Sequence, residues 1–467
     1  MDKHINQTRL FLARILISTL ATLLLAGCGL LSEPQQPVIP TPVPTAVSLL
    51  AAEPGGEPVV DPVSDIVPGI DPEIAALVNA VSQQQLMVYV QTLESFGTRN
   101  AFSDTERDDF GVGAVRRWIF SEFERVGNGR LQVAFDDFTL SYSGLLAEQR
   151  NVVATLPGTG PGDAIILALA HYDTRSVSVT DGVTRAPGAN DNASGVALLL
   201  ETARVLSSRQ WHNTIVFLAV AAEEQGTFGA RHFAQNAFLD NRNILAAINY
   251  DSVGGRAGIR QAVRVFAQDL YQSPTGQLGR YYEYIGGLYL PTFPVIVYNA
   301  LDREGRWGDQ REFVNVGMPS VRVIESEENP DLVNSLLDTW TAIDYGYLQQ
   351  VTQLNVAVMA SAAGTPPAPA QPIINAMAEP GSYLITWPVD PAAAAYALSF
   401  RPLNSATYPP FRFVKANRAG NVALTGLDPN ETYMVSVAAI HANGRLGYFS
   451  TEILVEPRNE QSATVGD

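Results

Sequence analysis

Ile165-Ile-Leu-Ala-Leu-Ala-His171-Tyr-Asp173 decides the fold, together with Gly188-Ala-Asn-Asp-Asn-Ala-Ser-Gly195, which a polar loop separates from it. The unbroken apolar run Ile165–Ala170 fits a strand buried on both faces of a parallel sheet. His171 and Asp173 stand at its carboxyl end, where open α/β sheets collect their ligands. Asp191 falls at the start of a helix predicted by the apolar spacing of Val196–Leu206. Two further apolar runs end on acids: Thr214–Ala221 runs into Glu223 and Glu224, and Ile244–Tyr250 into Asp251. Four segments therefore deliver His171, Asp173, Asp191, Glu223, Glu224 and Asp251 to one edge of one sheet.

Outward from this centre, strands alternate with helices. Helices are expected over Asp71–Gly97, Ala114–Val126, Gly226–Ala237 and Tyr345–Ala363. The second of these places Val115, Trp118, Ile119, Phe123 and Val126 on one face. Further strands are expected over Leu131–Leu140, Asn151–Leu156, Val295–Tyr298 and Ser320–Ile324. The fold class is α/β over residues 71–364: a mixed, mostly parallel-centred sheet with helices on both faces. Tyr281, Tyr282 and Tyr284 read as loop residues that wall a pocket. A Pro/Ala-rich linker, 365–370, leads into short alternating strands over 371–457, the pattern of an all-β sandwich. The proline-rich break predicts few contacts between the two domains, so a chain ending near Gly364 is expected to fold. Residues 458–467 read as a tail.

At the other end, residues 1–27 have a charged start and the short apolar run Ile15–Leu25, which is signal-peptide architecture. Leu25-Ala26-Gly27-Cys28 resembles the bacterial lipobox, which implies lipidation of Cys28 and an extracytoplasmic protein tethered to the membrane. Residues 28–70 are rich in Pro and read as an extended spacer. The chain has 467 residues and a net charge of −17, which argues against nucleic acid as a partner. A single cysteine excludes an internal disulfide framework. Lys3 and Lys415 are the only lysines, which removes a lysine nucleophile from consideration near the acidic edge. Neither a nucleophile elbow nor a phosphate-binding glycine loop occurs, and this counts against a serine hydrolase.

Taken singly, Asp191 reads as a helix cap and His171 as a satisfied structural histidine. Five carboxylates at one edge repel one another unless a cation or proton relieves them. One imidazole among carboxylates suits zinc, with a position left open for water. The adjacent pair Glu223-Glu224 fits a division of labour, one residue binding metal and its neighbour accepting a proton.

His171-Tyr-Asp173, Ala186-Pro-Gly-Ala-Asn-Asp-Asn-Ala-Ser-Gly195, Ala221-Ala-Glu-Glu-Gln-Gly226 and Asn249-Tyr-Asp-Ser-Val-Gly-Gly255 resemble the zinc aminopeptidases, and more distantly the glutamate carboxypeptidases. The resemblance covers roughly residues 72–363 and implies a zinc-dependent exopeptidase that removes N-terminal residues from peptide substrates. It implies that His171 and Asp251 hold one zinc and that Asp191 bridges to a second held by Glu224. Glu223 would be the general base, Asp173 would orient His171, and the Asp191-Asn192 peptide would be cis. The resemblance also implies a late histidine on the second zinc. Asn334 stands there instead, in Asn334-Ser-Leu-Leu-Asp338-Thr339, and no histidine lies between His232 and His441. Asp309 falls where a second family histidine is often found. One tightly bound zinc is therefore expected, with a second, weaker metal completed by Asn334 or water. Glu325, Glu327 and Glu328 are the first candidates to replace the histidine.

Trp387 and Leu427–Val435 resemble the core tryptophan and tyrosine corner of fibronectin type III domains, and no ligand of this domain is readable. Two alternatives compete with the enzyme. One is a degenerate cell-surface binding protein on the peptidase fold, favoured by the missing histidine and opposed by the retained Glu223. The other is a glutaminyl-cyclase-like transferase, opposed by the same missing histidine.

Overall fold

The computed structural model describes residues 66–369 and 371–457, with a two-residue ladder pairing Ala51–Ala52 and Pro58–Val59. The expected signal peptide (1–27), Cys28, most of the expected spacer (28–70) and the expected tail (458–467) lie outside the described residues. Among the described residues no helix is long and apolar enough to cross a membrane.

The region ahead of the proline-rich break is built on one eight-stranded sheet. Its strands are β1 (Gln132–Tyr142), β2 (Leu145–Leu156), β3 (Ile165–His171), β4 (Thr214–Val220), β5 (Ile244–Tyr250), β6 (Val263–Phe266), β7 (Val295–Tyr298) and β8 (Ser320–Glu325), in the spatial order β1-β2-β4-β3-β5-β8-β6-β7. The central strands β4, β3, β5 and β8 run parallel, while β2 joins β4, and β6 joins β8, antiparallel. A parallel strand needs a crossover, and the helices that supply it cover both faces. Alternation along β3 shows this directly. Ile166, Ala168 and Ala170 pack into the cluster of α4 (Ser194–Leu206) and α8 (Tyr345–Ala363). Leu167 and Leu169 pack against α5 (Phe228–Leu239) and α7 (Gln310–Asn315). The α/β expectation is met.

Differences from the sequence reading are local. The single helix expected over Asp71–Gly97 is two, α1 (Pro72–Asn79) and α2 (Gln83–Ser95). Asp71 caps the first, and Ser82 caps the second by accepting the Gln85 N–H at 3.2 Å. The tyrosines do not wall a pocket: Tyr281, Tyr282 and Tyr284 lie buried on helix α6 (Pro274–Tyr289).

The C-terminal region forms two antiparallel sheets. One has the order β9-β10-β13 (Ile373–Ala376, Tyr383–Thr386, Val422–Leu424). The other has the order β12-β11-β14-β15 (Arg412–Lys415, Ala395–Pro402, Tyr433–Ile440, Ile453–Val455). Trp387 is buried edge-on against Tyr396, and the Tyr433 hydroxyl accepts the Asp428 N–H at 3.2 Å.

The expectation of few contacts across the proline-rich break fails. Tyr284 packs on Phe411 with ring centroids 5.0 Å apart, and Tyr281 on Tyr448 at 5.1 Å. The Tyr281 hydroxyl donates to the Leu446 carbonyl at 2.9 Å, and Arg445 Nε donates to Asp71 Oδ2 at 2.8 Å. Tyr408, Phe411, Leu446 and Phe449 belong to the same apolar core as helices α6 and α8. A proline-rich segment fixes the local chain conformation, but it does not determine what the elements on either side bury.

Candidate metal centre

His171 is the last residue of β3, Asp251 follows β5, and Glu223 and Glu224 follow β4. The chain turns sharply at two of these ends. Ala222 and Ser252 both take φ 58°, a left-handed conformation that a side chain adopts at a cost and that clusters at functional sites.

Asp191 arrives from the loop ahead of α4, and buried groups fix that loop from several sides. Arg99 donates to the carbonyls of Tyr172, Pro187 and Gly188, each at 2.8 Å. Asp338 accepts the N–H groups of Asn190 at 2.7 Å and Asp191 at 3.0 Å. Asn192 Nδ2 donates to the Tyr250 carbonyl at 2.9 Å, tying the loop to β5. Gly195 must lack a side chain, because a Cβ there would sit 2.4 Å from the same carbonyl. The Asp191-Asn192 peptide is cis, as the resemblance implied.

The loop brings three ligand atoms together. His171 Nε2 lies 3.2 Å from Asp191 Oδ1 and 3.7 Å from Asp251 Oδ1, and one donor atom from each residue falls within 4.8 Å of the others. His171 is buried, and its Nε2 has no hydrogen-bond partner. An unpartnered imidazole nitrogen facing two carboxylates fits a zinc ion held by three protein ligands. Without a cation, burial opposes the imidazolium, but Asp173, Asp191 and Asp251 outweigh it and hold His171 well above its usual range.

The remaining acids take different places. His171 Nδ1 pairs with the backbone carbonyl of Asp173 at 3.1 Å and lies 3.7 Å from its carboxylate. That carboxylate accepts the N–H groups of Glu223 at 3.0 Å and Glu224 at 3.1 Å, so Asp173 fixes both the histidine strand end and the glutamate turn. Glu223 faces a cleft of about 180 Å³ that is also lined by Asp191, Glu224, Asp251, Arg175 and Asn334. Burial, opposed by His171 and reinforced by Asp309, pushes the Glu223 carboxyl well above the usual carboxylate range.

Glu224 stands apart from the three-residue cluster. Its Oε2 accepts from Arg175 Nε at 2.8 Å, and burial, with Asp191 adding, still pushes its carboxyl up to about 8. Asn334 is at the same spot. With its amide turned so that donors meet acceptors, Nδ2 faces Glu224 Oε1 at 3.0 Å and Oδ1 faces Arg175 Nη2 at 2.9 Å.

None of the three substitutes for the late histidine joins the cluster. Glu325 accepts from Asn190 Nδ2 at 2.9 Å and from the Gly255 N–H at 2.8 Å. Glu327 pairs with Arg256 and Glu328 with Arg264. Asp309 is fully buried with neither carboxylate oxygen hydrogen-bonded, and burial pushes it up to about 8.

Sequence reasoning missed Arg322. Its guanidinium reaches Asp251 Oδ2 and Asp302 Oδ2, both at 2.8 Å. Burial works against the charge on Asp251, yet Arg322 and His171 hold it well below the usual range. No motif flags Arg322, because it lies inside strand β8, between buried valines.

A parallel-centred sheet that gathers one imidazole and two carboxylates beside a solvent cleft has the donor set of a metal-dependent hydrolase. Residues 151–359 match Peptidase family M28. A probable zinc metalloprotease of Pyricularia oryzae is 32% identical over 338 residues, spanning 64% of this chain and 67% of that protein. Another from Leptosphaeria maculans is 28% identical over 412 residues, spanning 80% of this chain and 95% of that protein. The chain belongs to peptidase family M28. Among solved structures, the aminopeptidase of Aneurinibacillus sp. strain AM-1 superposes with a TM-score of 0.51 at 17% identity. It covers 64% of this chain and 97% of its own, a likeness of fold.

Proposed function

We propose that this M28 peptidase is a zinc aminopeptidase that trims the amino termini of peptides outside the cytoplasmic membrane, held there by a lipid on Cys28. The observation that carries the reading is Glu223, a carboxylate in the cleft beside the His171, Asp191 and Asp251 cluster. Zinc bound by those three residues supplies a Lewis acid that polarises the scissile carbonyl and acidifies water.

The chain's own residues do the rest. Glu223 takes the proton of the attacking water onto a carboxylate oxygen and passes it to the departing amine. Asp173 holds Glu223 in place through its backbone N–H. Arg322 keeps Asp251 ionised and oriented towards His171. The aminopeptidase assignment draws support from the four motifs and from the fold shared with the Aneurinibacillus enzyme. The lipid anchor draws support from Leu25–Cys28.

The test uses the purified full chain, assayed for zinc and against aminoacyl-anilides with free and with acetylated amino termini. Zinc-dependent cleavage confined to the free amino termini is expected. Cleavage of the blocked substrates alone would overturn the aminopeptidase assignment.

A further inference from the structure

We propose that Arg175 supplies, as a fixed part of the chain, the positive charge that a second metal would bring to Glu224, so that the centre holds one zinc. This rests on the zinc reading of His171, Asp191 and Asp251 and specifies its stoichiometry.

Arg175 Nε donates to Glu224 Oε2 at 2.8 Å, and with the Asn334 amide turned so that donors meet acceptors two further hydrogen bonds close a ring, Arg175 Nη2 to Asn334 Oδ1 at 2.9 Å and Asn334 Nδ2 to Glu224 Oε1 at 3.0 Å. Both oxygens of Glu224 and both ends of the Asn334 amide are satisfied within this ring. The residues available for a second metal therefore do not fit one. A guanidinium already in ion-pair contact repels a dication brought to the same carboxylate, and the solvent of the cleft that both residues line screens that repulsion only in part. The Glu224 side chain is 9% exposed. Asp191 is the carboxylate that the resemblance would have both metals share, and its Oδ1 is directed at His171 Nε2.

The geometry also accounts for Asn334. Its backbone takes φ 53°, a left-handed conformation that asparagine tolerates better than most side-chain-bearing residues. Its amide carries both the donor and the acceptor that the ring requires, whereas a neutral imidazole offers its one donor and one acceptor in a different geometry. Arg175 sits four residues after His171, on the same strand-end loop, so it comes into position with the first metal's ligand.

The experiment compares zinc per chain after dialysis against a mild chelator, and the spectrum after cobalt replacement, in four proteins. These are the parent, Asn334→His, Arg175→Ala and the double variant Arg175→Ala/Asn334→His. The parent and Asn334→His are expected to retain one zinc, because the guanidinium still holds Glu224. The double variant is expected to take up a second metal, visible as a second cobalt-binding phase. A further control outside these four, Arg175→Lys, keeps the charge and should remain at one.

Two zincs retained by the parent, or by Asn334→His alone, would overturn the proposal. So would a double variant that folds, retains one zinc and gains no second phase. A parent that retains no zinc would instead overturn the zinc reading itself, and this inference with it.

Discussion

Replacing Glu452 by Gln should destabilise the whole protein by about 3 kcal/mol. Glu452 lies between two regions that the sequence separates. Its Oε2 accepts from Arg280 on α6 and from Arg401 on β11, both at 2.8 Å, and both arginine side chains are fully buried. Removing one member of a buried ion pair costs about 3–5 kcal/mol, because the partner charge stays buried without compensation. The lower end applies here. Arg401 keeps bonds to the carbonyls of Leu403, Ser405 and Tyr271, and Arg280 keeps the Leu270 carbonyl. A glutamine can still accept hydrogen bonds at its one amide oxygen, but it contributes no charge. Urea unfolding followed by tryptophan fluorescence and by far-ultraviolet circular dichroism would measure the loss. The midpoint should fall with the slope unchanged and both probes coincident. The exposed Glu379→Gln serves as control and should stay within about 0.5 kcal/mol of the parent. A loss below about 1 kcal/mol, or a C-terminal region that melts separately, would refute the view that one core spans both regions.

Glu223→Gln should leave zinc content unchanged and lower kcat by roughly two to four orders of magnitude. Zinc loss in that variant would make Glu223 a ligand and remove it as the base. For Asp309, burial pushes the folded carboxyl up to about 8, against about 4 in an unfolded chain. Between these values the unfolded chain has released a proton that the folded one keeps, so the stability of chelator-treated protein falls as pH rises through that window. Asp309→Asn should flatten the fall in Tm between pH 5 and pH 8, and equal falls in parent and variant would rule out the assignment. Cys28→Ala should shift the protein from the membrane fraction to the soluble extracytoplasmic fraction, and fractionation like the parent's would count against a lipid at that position.

The sequence by itself determined the sheet and the set of residues at its edge. Apolar runs long enough to be buried on both faces mark β3, β4 and β5 without reference to anything distant, and the acids that end them must lie on one edge once the strands run parallel. His171, Asp191 and Asp251 were legible for that reason. Whether Glu224 faces a metal or an arginine was not legible, because Arg175 and Asn334 are 159 positions apart and meet only through folding. Arg322 was hidden in the same way, since a charge inside an apolar strand has no local signal beyond its oddity. Helix α6, rich in glycine and tyrosine, has weak local helix preference and is fixed by what its tyrosines pack against in the C-terminal region. Periodicity and turn chemistry act over a few residues, and the sequence therefore specifies elements and their edges. Ion pairs and shared cores join positions with no sequence relation, so the tertiary structure decides which charges compensate one another and whether two regions fold as one.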